Sequence, residues 1–209
     1  CRPTRRTRKH RASGMPQWEA TGPGQVWSWD ITMLPGPYRG VSYCLYAVID
    51  VFSRKIVAWR VEEAEVDELA ADMLREALQA LPADQRPWLL HSDRGASMMS
   101  HALAQVLRDF GITRSRNRPR VSNDNPFSES WFKTGKYRPG YPPFFDDVTH
   151  ARAWATELID WYNHTHRHSS LEGHTPASVH DGSWVQIHHQ RQATLDELYQ
   201  ANPGRYRRR

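Results

Sequence analysis

The hydrophobic pattern of this chain first changes from a strand period to a helix period after residue 61, and that change constrains the fold more than any other feature. Residues 25–61 are rich in aromatic and β-branched types and carry turn signals at 35–40 and 53–54, which predicts three consecutive antiparallel strands. In residues 65–81 the apolar positions recur at helical spacing instead. The segments that follow predict strand, helix, strand and helix. This order predicts an α/β layered domain whose later strands run parallel.

Two aspartates occupy notable positions in the predicted strands. The side chains of the first strand alternate, so Asp30 shares a face with Ser28 and lies opposite the face of Trp29. Asp93 follows the short apolar strand predicted at residues 86–90. Open α/β sheets bind ligands at the carboxyl ends of their strands. The two aspartates are therefore candidates for one site.

A third carboxylate, Glu129, stands at the start of a predicted helix. Asn125 precedes Pro126, and proline favours the first helical position while it pushes its predecessor out of the helical region. Glu129 then falls in the first turn. Lys133 and Lys136 follow four and seven residues later, on roughly the same helical face.

Three such carboxylates have two interpretations. Asp and Glu are common, and most of them are solvated surface charges. Carboxylates that cluster repel one another and raise one another's pKa, so a cluster is costly unless a cation neutralises it. Magnesium fits that need, because it prefers hard oxygen ligands and keeps several waters. The strand and helix positions of these residues favour the metal site.

The charge of the chain indicates an anionic partner. The formal net charge is +5 and the sequence pI is about 9.4, which is typical of nucleic-acid-binding proteins. Residues 1–23 are basic and show no periodicity, so they predict an arm that is disordered alone and follows DNA phosphates when bound. Arginines recur in residues 114–120, where phosphate contacts are favoured over a merely solvated loop.

Several sequence motifs resemble the integrase-core transposases of bacterial insertion sequences, which are distant relatives of retroviral integrases. The motifs are WSWDIT, HSDRG, RPRVSNDNPFSESWFKTGKYRP and the later WYN and RHSSL, across roughly residues 24–182. The family's first acid falls on Asp30, its second on Asp93 and its glutamate on Glu129, with 35 residues between the last two. The family's basic residue falls on Lys136. The resemblance implies a ribonuclease-H-like mixed five-stranded sheet flanked by helices, with a basic N-terminal arm and a C-terminal helical extension.

The resemblance also implies a reaction. Such enzymes cleave double-stranded DNA at the element ends and transfer a 3′-hydroxyl strand into target DNA. Two Mg²⁺ ions, with Mn²⁺ as a substitute, would be held with Asp30 shared between them and with Asp93 and Glu129 on one ion each. Two alternatives stay open: a ribonuclease-H-like nuclease without strand transfer, and a non-catalytic DNA-binding module derived from a transposase.

Contacts with DNA are expected around this site, mostly through the phosphate backbone. The predicted contacts are Lys136, Lys133, Arg118, Arg120, Asn123, Asn125, Arg94, Arg167 and His168.

The histidines admit other interpretations. The run His164, His166, His168 and His174 could suggest zinc, but no cysteine accompanies it, so a structural or DNA-facing role is favoured. His91 could position a metal-bound water, but a packed histidine at a strand end is favoured.

The chain departs from the family at two places. Relatives usually carry a larger apolar residue where Gly135 stands, and glycine inside a helix costs about 1 kcal/mol, so the helix after Glu129 could fray there. Ser97 and Met98 replace a Gln-Tyr pair that often follows HSDRG. Neither change removes a predicted metal ligand.

We expect three regions: a basic arm at 1–23, an integrase-type catalytic core at 24–182 and a polar, basic tail at 183–209. The first methionine is Met15, so an upstream helix-turn-helix domain is expected outside this chain. No apolar run is long enough to span a membrane, and the two cysteines form no disulfide framework. The expected protein is cytoplasmic and nucleoid-associated in a bacterium, and at least dimeric on DNA.

Overall fold

A computed structural model describes residues 18–117 and 125–205. The strands are β1 (Val26–Pro35), β2 (Ser42–Asp50), β3 (Ile56–Glu62), β4 (Leu89–Ser92) and β5 (Thr113–Arg116). The helices are α1 (Asp67–Gln79), α2 (Ala96–Met99), α3 (His101–Asp109), α4 (Pro126–Lys136), α5 (Val148–His164), α6 (Pro176–Asp181) and α7 (Trp184–Ala201). Across both described ranges, no helix is long and apolar enough to cross a membrane.

The strands form one mixed sheet in the order β3-β2-β1-β4-β5. β1 pairs antiparallel with β2, and β2 with β3, whereas β4 runs parallel to both β1 and β5. The predicted antiparallel start and parallel end are confirmed. β1 lies at the centre of the sheet, so any residue on it is within reach of both halves.

Helices cover both faces of the sheet, and each face has its own hydrophobic cluster. Trp27 and Trp29 of β1 pack in the cluster that includes α1 and α3. On the opposite face, Leu34 of β1 packs in the cluster that includes Trp131 of α4 and Leu158 of α5. The alternation predicted for β1 is confirmed, because the tryptophans lie on the face opposite Asp30. Burial of such large side chains supplies much of the stabilisation of the sheet.

The later elements differ from prediction in their lengths. β4 continues to Ser92, two residues beyond the predicted end, so that Asp93 follows the strand directly. β5 extends to Arg116, where an exposed loop was expected. The short helix α2 was not predicted. α7 is an 18-residue helix, where a short helix around 195–199 was expected; its side chains are all at least partly exposed, so its sequence has no apolar stripe to reveal it.

The helix that carries Glu129 does not fray at Gly135. α4 continues through Gly135 to Lys136, and Gly135 is buried against α5. A Cβ atom at this position would lie 2.9 Å from Cδ2 of Leu158. The missing side chain therefore lets α4 approach α5 closely, and Leu158 fills the space that a larger residue would take.

Candidate active site

The register of β1 and β4 brings two carboxylates side by side. Trp29 of β1 pairs with Ser92 of β4, and Ser28 pairs with His91. Asp30 is the next residue after Trp29, and Asp93 is the next residue after Ser92. Residues in register on parallel strands point to the same face, with backbones about 5 Å apart. The sheet therefore brings the backbones of these two aspartates close together.

Backbone amides orient both aspartates. The Ile31 N–H donates to Oδ1 of Asp30 at 2.8 Å, and the Gly95 N–H donates to Oδ1 of Asp93 at 2.8 Å. A Cβ atom on Gly95 would lie 3.2 Å from that same Asp93 oxygen. The turn after β4 therefore wraps tightly around the Asp93 carboxylate, and both side chains are half-buried.

A buried hydrogen-bond network brings Glu129 to the same place. The Ser28 hydroxyl donates to Oδ1 of Asn125 at 2.5 Å, and the Asn125 amide donates to the carbonyl oxygen of Trp29 at 3.3 Å. The Ser128 hydroxyl lies 3.2 Å from that of Ser28 and is the donor in this pair, because Ser28 gives its own hydrogen to Asn125. These bonds fix the first turn of α4 on β1, two residues from Asp30.

Ser28, Asn125 and Ser128 are all buried, and their role as positioning residues was not predicted. The signal available in the sequence was a small polar residue, Ser28, on the same face of the strand as Asp30. Asn125 was predicted to contact DNA. The structure gives it another role, because its amide is buried and already bonded on both sides to β1.

The electrostatics of Asp30 reflect its burial and the nearby charges of the other two acids. The pKa of Asp30 is raised from 3.8 to about 7, chiefly because burial disfavours its charged form. The Ile31 N–H lowers the pKa, whereas the charges of Asp93 and Glu129 raise it. A cation at this site would favour the charged form of Asp30 and so offset both the cost of its burial and the repulsion from the other two acids.

The donor set suits a hard divalent cation, because it consists of carboxylate oxygens. In residues 18–117 and 125–205, no group of three His, Cys, Asp or Glu side chains surrounds a single point closely enough to hold one ion. An ion here would take its protein ligands from two of the three carboxylates and complete its shell with water and substrate oxygens.

His91 is packed at the end of β4. It is fully buried, with Nδ1 3.0 Å from the Ser115 hydroxyl and Nε2 2.8 Å from Oδ1 of Asn117. The ring of Trp18 lies 5.1 Å from its centroid. These contacts agree with the packed interpretation, in which His91 joins β4 to β5.

Apart from Asn125, the predicted DNA contacts fall into three groups. Lys133 and Lys136 are exposed in the last turns of α4, and Arg94 is exposed while its Nε donates to the Asn117 carbonyl at 2.9 Å. Arg167 and His168 belong to the segment after α5 and are described below. The remaining three lie outside the described residues: Arg118, Arg120 and Asn123.

The segment after α5 is organised by histidines. Nδ1 of His168 accepts from the Ser170 N–H at 3.3 Å and so caps the 3-10 turn Ser169–Leu171. Burial, followed by the charges of His166 and Arg54, lowers the pKa of His168. Arg167 is exposed, and its guanidinium donates to the Gly173 carbonyl at 3.3 Å. These contacts give the segment a structural role.

Comparison with known protein families adds to this geometry. Two protein-family models, each described as "Integrase core domain", match this chain, one over residues 20–122 and the other over residues 110–176. The chain is 27% identical to the InsK protein of insertion sequence element IS150 from Escherichia coli K12, over 80% of this chain and 58% of that protein. It is 32% identical to the transposase for insertion sequence element IS904 from Lactococcus lactis, over 76% of this chain and 62% of that protein. The chain thus spans about three-fifths of the length of these relatives.

Solved structures share the fold. A chain of the simian T-cell lymphotropic virus intasome, solved in complex with the PP2A regulatory subunit B56 gamma, matches with a TM-score of 0.60 and 18% identity, over 83% of this chain and 60% of that one. The HTLV-2 integrase catalytic core domain, solved in complex with magnesium, matches with a TM-score of 0.55 and 17% identity, over 78% of this chain and 99% of that one. These matches confirm the ribonuclease-H-like fold.

Proposed function

Since this chain belongs to the integrase core domain family, we propose that it is the catalytic core of a DNA transposase, with Asp30, Asp93 and Glu129 as its catalytic carboxylates. The observation that supports the proposal is the placement of these acids around the central strand β1. Asp30 lies on β1, Asp93 directly follows the neighbouring strand β4, and Glu129 lies in the first turn of a helix that is hydrogen-bonded to β1 through buried side chains. Residues 24–182 form this core, residues 1–23 the arm and residues 183–209 the extension.

Asp30 would be shared between two divalent ions, while Asp93 and Glu129 would each hold one. Bound ions would supply an activated oxygen nucleophile and would neutralise charge on the departing 3′ oxygen. The protein fixes the carboxylates in advance through the Ile31 and Gly95 amides, so little reorganisation is needed when substrate binds. A magnesium complex of an integrase core with the same fold suits this choice of ion.

The proposed chemistry has two phosphoryl-transfer steps. Water attacks the phosphodiester at the element end, so the P–O bond breaks and a free 3′-hydroxyl remains. That hydroxyl then attacks a phosphodiester of the target, which forms the new P–O bond and releases a target 3′-hydroxyl. Both displacements occur at phosphorus without a protein nucleophile. Lys133 and Lys136, exposed near the end of α4, would hold the DNA backbone in line.

Two DNA ends must be brought together, so the active assembly would contain at least two copies of the chain. The oligomeric integrases of the same fold suit this arrangement. The proposed partner is double-stranded DNA, both as element end and as target.

The test is DNA cleavage and joining by the Asp93→Asn variant. Labelled element-end DNA and Mg²⁺ should give nicked and joined products with the unmodified chain. Loss of several kcal/mol of transition-state stabilisation should lower both products by roughly 100-fold or more in the variant. Glu157→Gln is the matched control, because Glu157 is an exposed carboxylate on α5.

Full activity of Asp93→Asn would refute the proposal. A second substrate separates transposase from simple nuclease, since it already carries a free 3′-hydroxyl end. A transposase joins this end to target DNA, whereas a nuclease without strand transfer leaves it unjoined.

A further inference from the structure

A cavity of about 560 Å³ opens beside the first turn of α4. Its walls come from the segment before β1, the β2–β3 turn, the start of α4 and residues 170–184. Aromatic side chains form much of the wall, with Trp18, Phe52, Phe127 and Trp184 among them. None of these residues belongs to the carboxylate site described above.

The cavity lies on the same face of the sheet as the carboxylates. Two of its wall residues, Val51 and Phe127, pack in a cluster with Val26 of β1. Val26 is four residues before Asp30 and on the same face of the strand, so the two lie roughly 13 Å apart. Along the axis of duplex DNA that distance corresponds to about four base pairs.

Charged groups on the wall favour a base over a phosphate. Glu19 and Glu172 line the cavity, and their carboxylates would repel a phosphate but accept hydrogen bonds from the amino group of a base. Arg54 also lines it, with its guanidinium 4.2 Å from the centroid of the Phe127 ring. Arg54 holds a φ of 64°, and its side chain donates to the Val51 carbonyl, so the cation is built into the wall.

One histidine in the wall has unsatisfied hydrogen-bonding groups. His174 is 3% exposed, and neither of its ring nitrogens has a hydrogen-bond partner among the described residues. The indole Nε1 of Trp18 is in the same state. Buried polar groups in native proteins are nearly always bonded. Because these nitrogens have almost no accessible surface, His174 and Trp18 add aromatic rings to the cavity wall rather than free hydrogen-bonding groups.

We propose that this cavity receives one nucleobase of the DNA strand, turned out of the duplex within a few nucleotides of the cleaved phosphate. The inference rests on the proposed function, because it takes DNA as the substrate. Aromatic side chains stack on any base, which makes such a pocket tolerant of sequence. A base held here would fix the position of the DNA strand relative to the carboxylates.

The test uses the full chain and DNA duplexes that carry a single 2-aminopurine, a fluorescent base, at successive positions on either side of the cleaved phosphate. The fluorescence of 2-aminopurine rises when the base leaves the duplex and falls when it stacks on an indole. Binding should therefore change the signal sharply at one position and leave the others near the level of free duplex.

Trp184→Ala is the informative variant, because Trp184 is 36% exposed and its loss removes a cavity wall without emptying the core. It should abolish the position-specific signal and weaken binding by roughly 10-fold, as loss of one stacked base does. Trp88→Ala is the matched control, since Trp88 is 46% exposed and does not line the cavity. It should leave both quantities unchanged.

An abasic site at the responsive position gives a second measurement. It should weaken binding by the unmodified chain about 10-fold and have no further effect on Trp184→Ala, because both changes remove the same contact. Independent, additive effects would overturn the inference, and so would a signal that survives Trp184→Ala. Conversion of a dimer to a monomer by Trp184→Ala, with the signal intact, would also overturn it in favour of a protein interface.

Failure of this inference is distinct from failure of the proposed function. If the chain cuts and joins DNA in an Asp93-dependent reaction but no position responds to Trp184→Ala, the cavity assignment alone is wrong. If it binds no DNA in any form, both are wrong.

Discussion

Replacement of Asp30 by asparagine should stabilise the metal-free protein, and the effect should depend on pH. The folded protein favours the protonated form of Asp30, since its pKa is raised from 3.8 to about 7. Between about pH 4 and pH 7 the folded state therefore holds a proton that the unfolded state has lost. Stability falls as pH rises through that window, and the full cost of the ionised group remains above it. Asparagine is neutral throughout and escapes this cost.

The size of the effect follows from the shift. About three pKa units at about 1.4 kcal/mol each give an upper limit of about 4 kcal/mol at pH 8. Water reaches part of the half-buried side chain and screens its charge, so a gain of about 2 kcal/mol is the expected outcome. At pH 5 the native Asp30 is largely protonated while the unfolded one is largely ionised, so the gain should be smaller than at pH 8. Asparagine keeps the oxygen that accepts from Ile31, so no bond is lost.

Urea unfolding in the presence of a chelator, at pH 5 and at pH 8, measures the difference. Glu157→Gln is the control for removal of an exposed carboxylate, and it should change stability by less than about 0.5 kcal/mol at both values. Addition of Mg²⁺ at pH 8 should stabilise the unmodified protein and have a smaller effect on Asp30→Asn. An equal effect of Asp30→Asn at both pH values, or a loss of stability at pH 8, would refute the reasoning.

Three further substitutions test packing around the site by urea unfolding. Asn125→Ala should cost about 2–3 kcal/mol by stranding buried partners on β1, and should reduce DNA cleavage because Glu129 loses its support; unchanged cleavage contradicts this. Gly135→Leu should cost about 1–3 kcal/mol through overlap with Leu158, and additional Leu158→Ala should recover part of it; additive losses count against that contact. Asp50→Ala should cost about 3 kcal/mol, because it removes the acceptor of the Gly24 N–H and of the N–H and hydroxyl of Ser53; a change below about 1 kcal/mol contradicts this.

Much of the fold could be predicted from local patterns. The change from strand to helix period places the antiparallel strands before the parallel ones, as the sheet confirms. Capping chemistry is local in the same way: the Ser100 hydroxyl accepts from the Leu103 N–H at 3.2 Å at the start of α3. Such features depend on residues a few positions apart, so a sequence displays them directly.

The buried network of the site could not be predicted in this way. Ser28 and Ser128 are 100 positions apart and meet only in the folded chain. A serine on a strand and a serine on a helix each look like ordinary surface residues until the faces they share are known. The full length of α7 could not be predicted for a different reason. Its side chains are all at least partly exposed, so it lacks the apolar stripe from which a helix is recognised.

The position of Glu129 depends on contacts at the two ends of α4, and sequence patterns predict neither contact correctly. At the first turn, Asn125 looks like a polar residue available to DNA, yet its side-chain amide is hydrogen-bonded to Ser28 and Trp29 of β1. At the last turn, Gly135 looks like a position where the helix would fray. Because glycine has no side chain, however, Leu158 of α5 packs directly against the α4 backbone there. Since one contact is polar and the other apolar, their losses should differ in kind. Damage at Asn125 should displace Glu129 and lower catalysis, whereas damage at Gly135 acts six residues beyond Glu129 and should lower stability first.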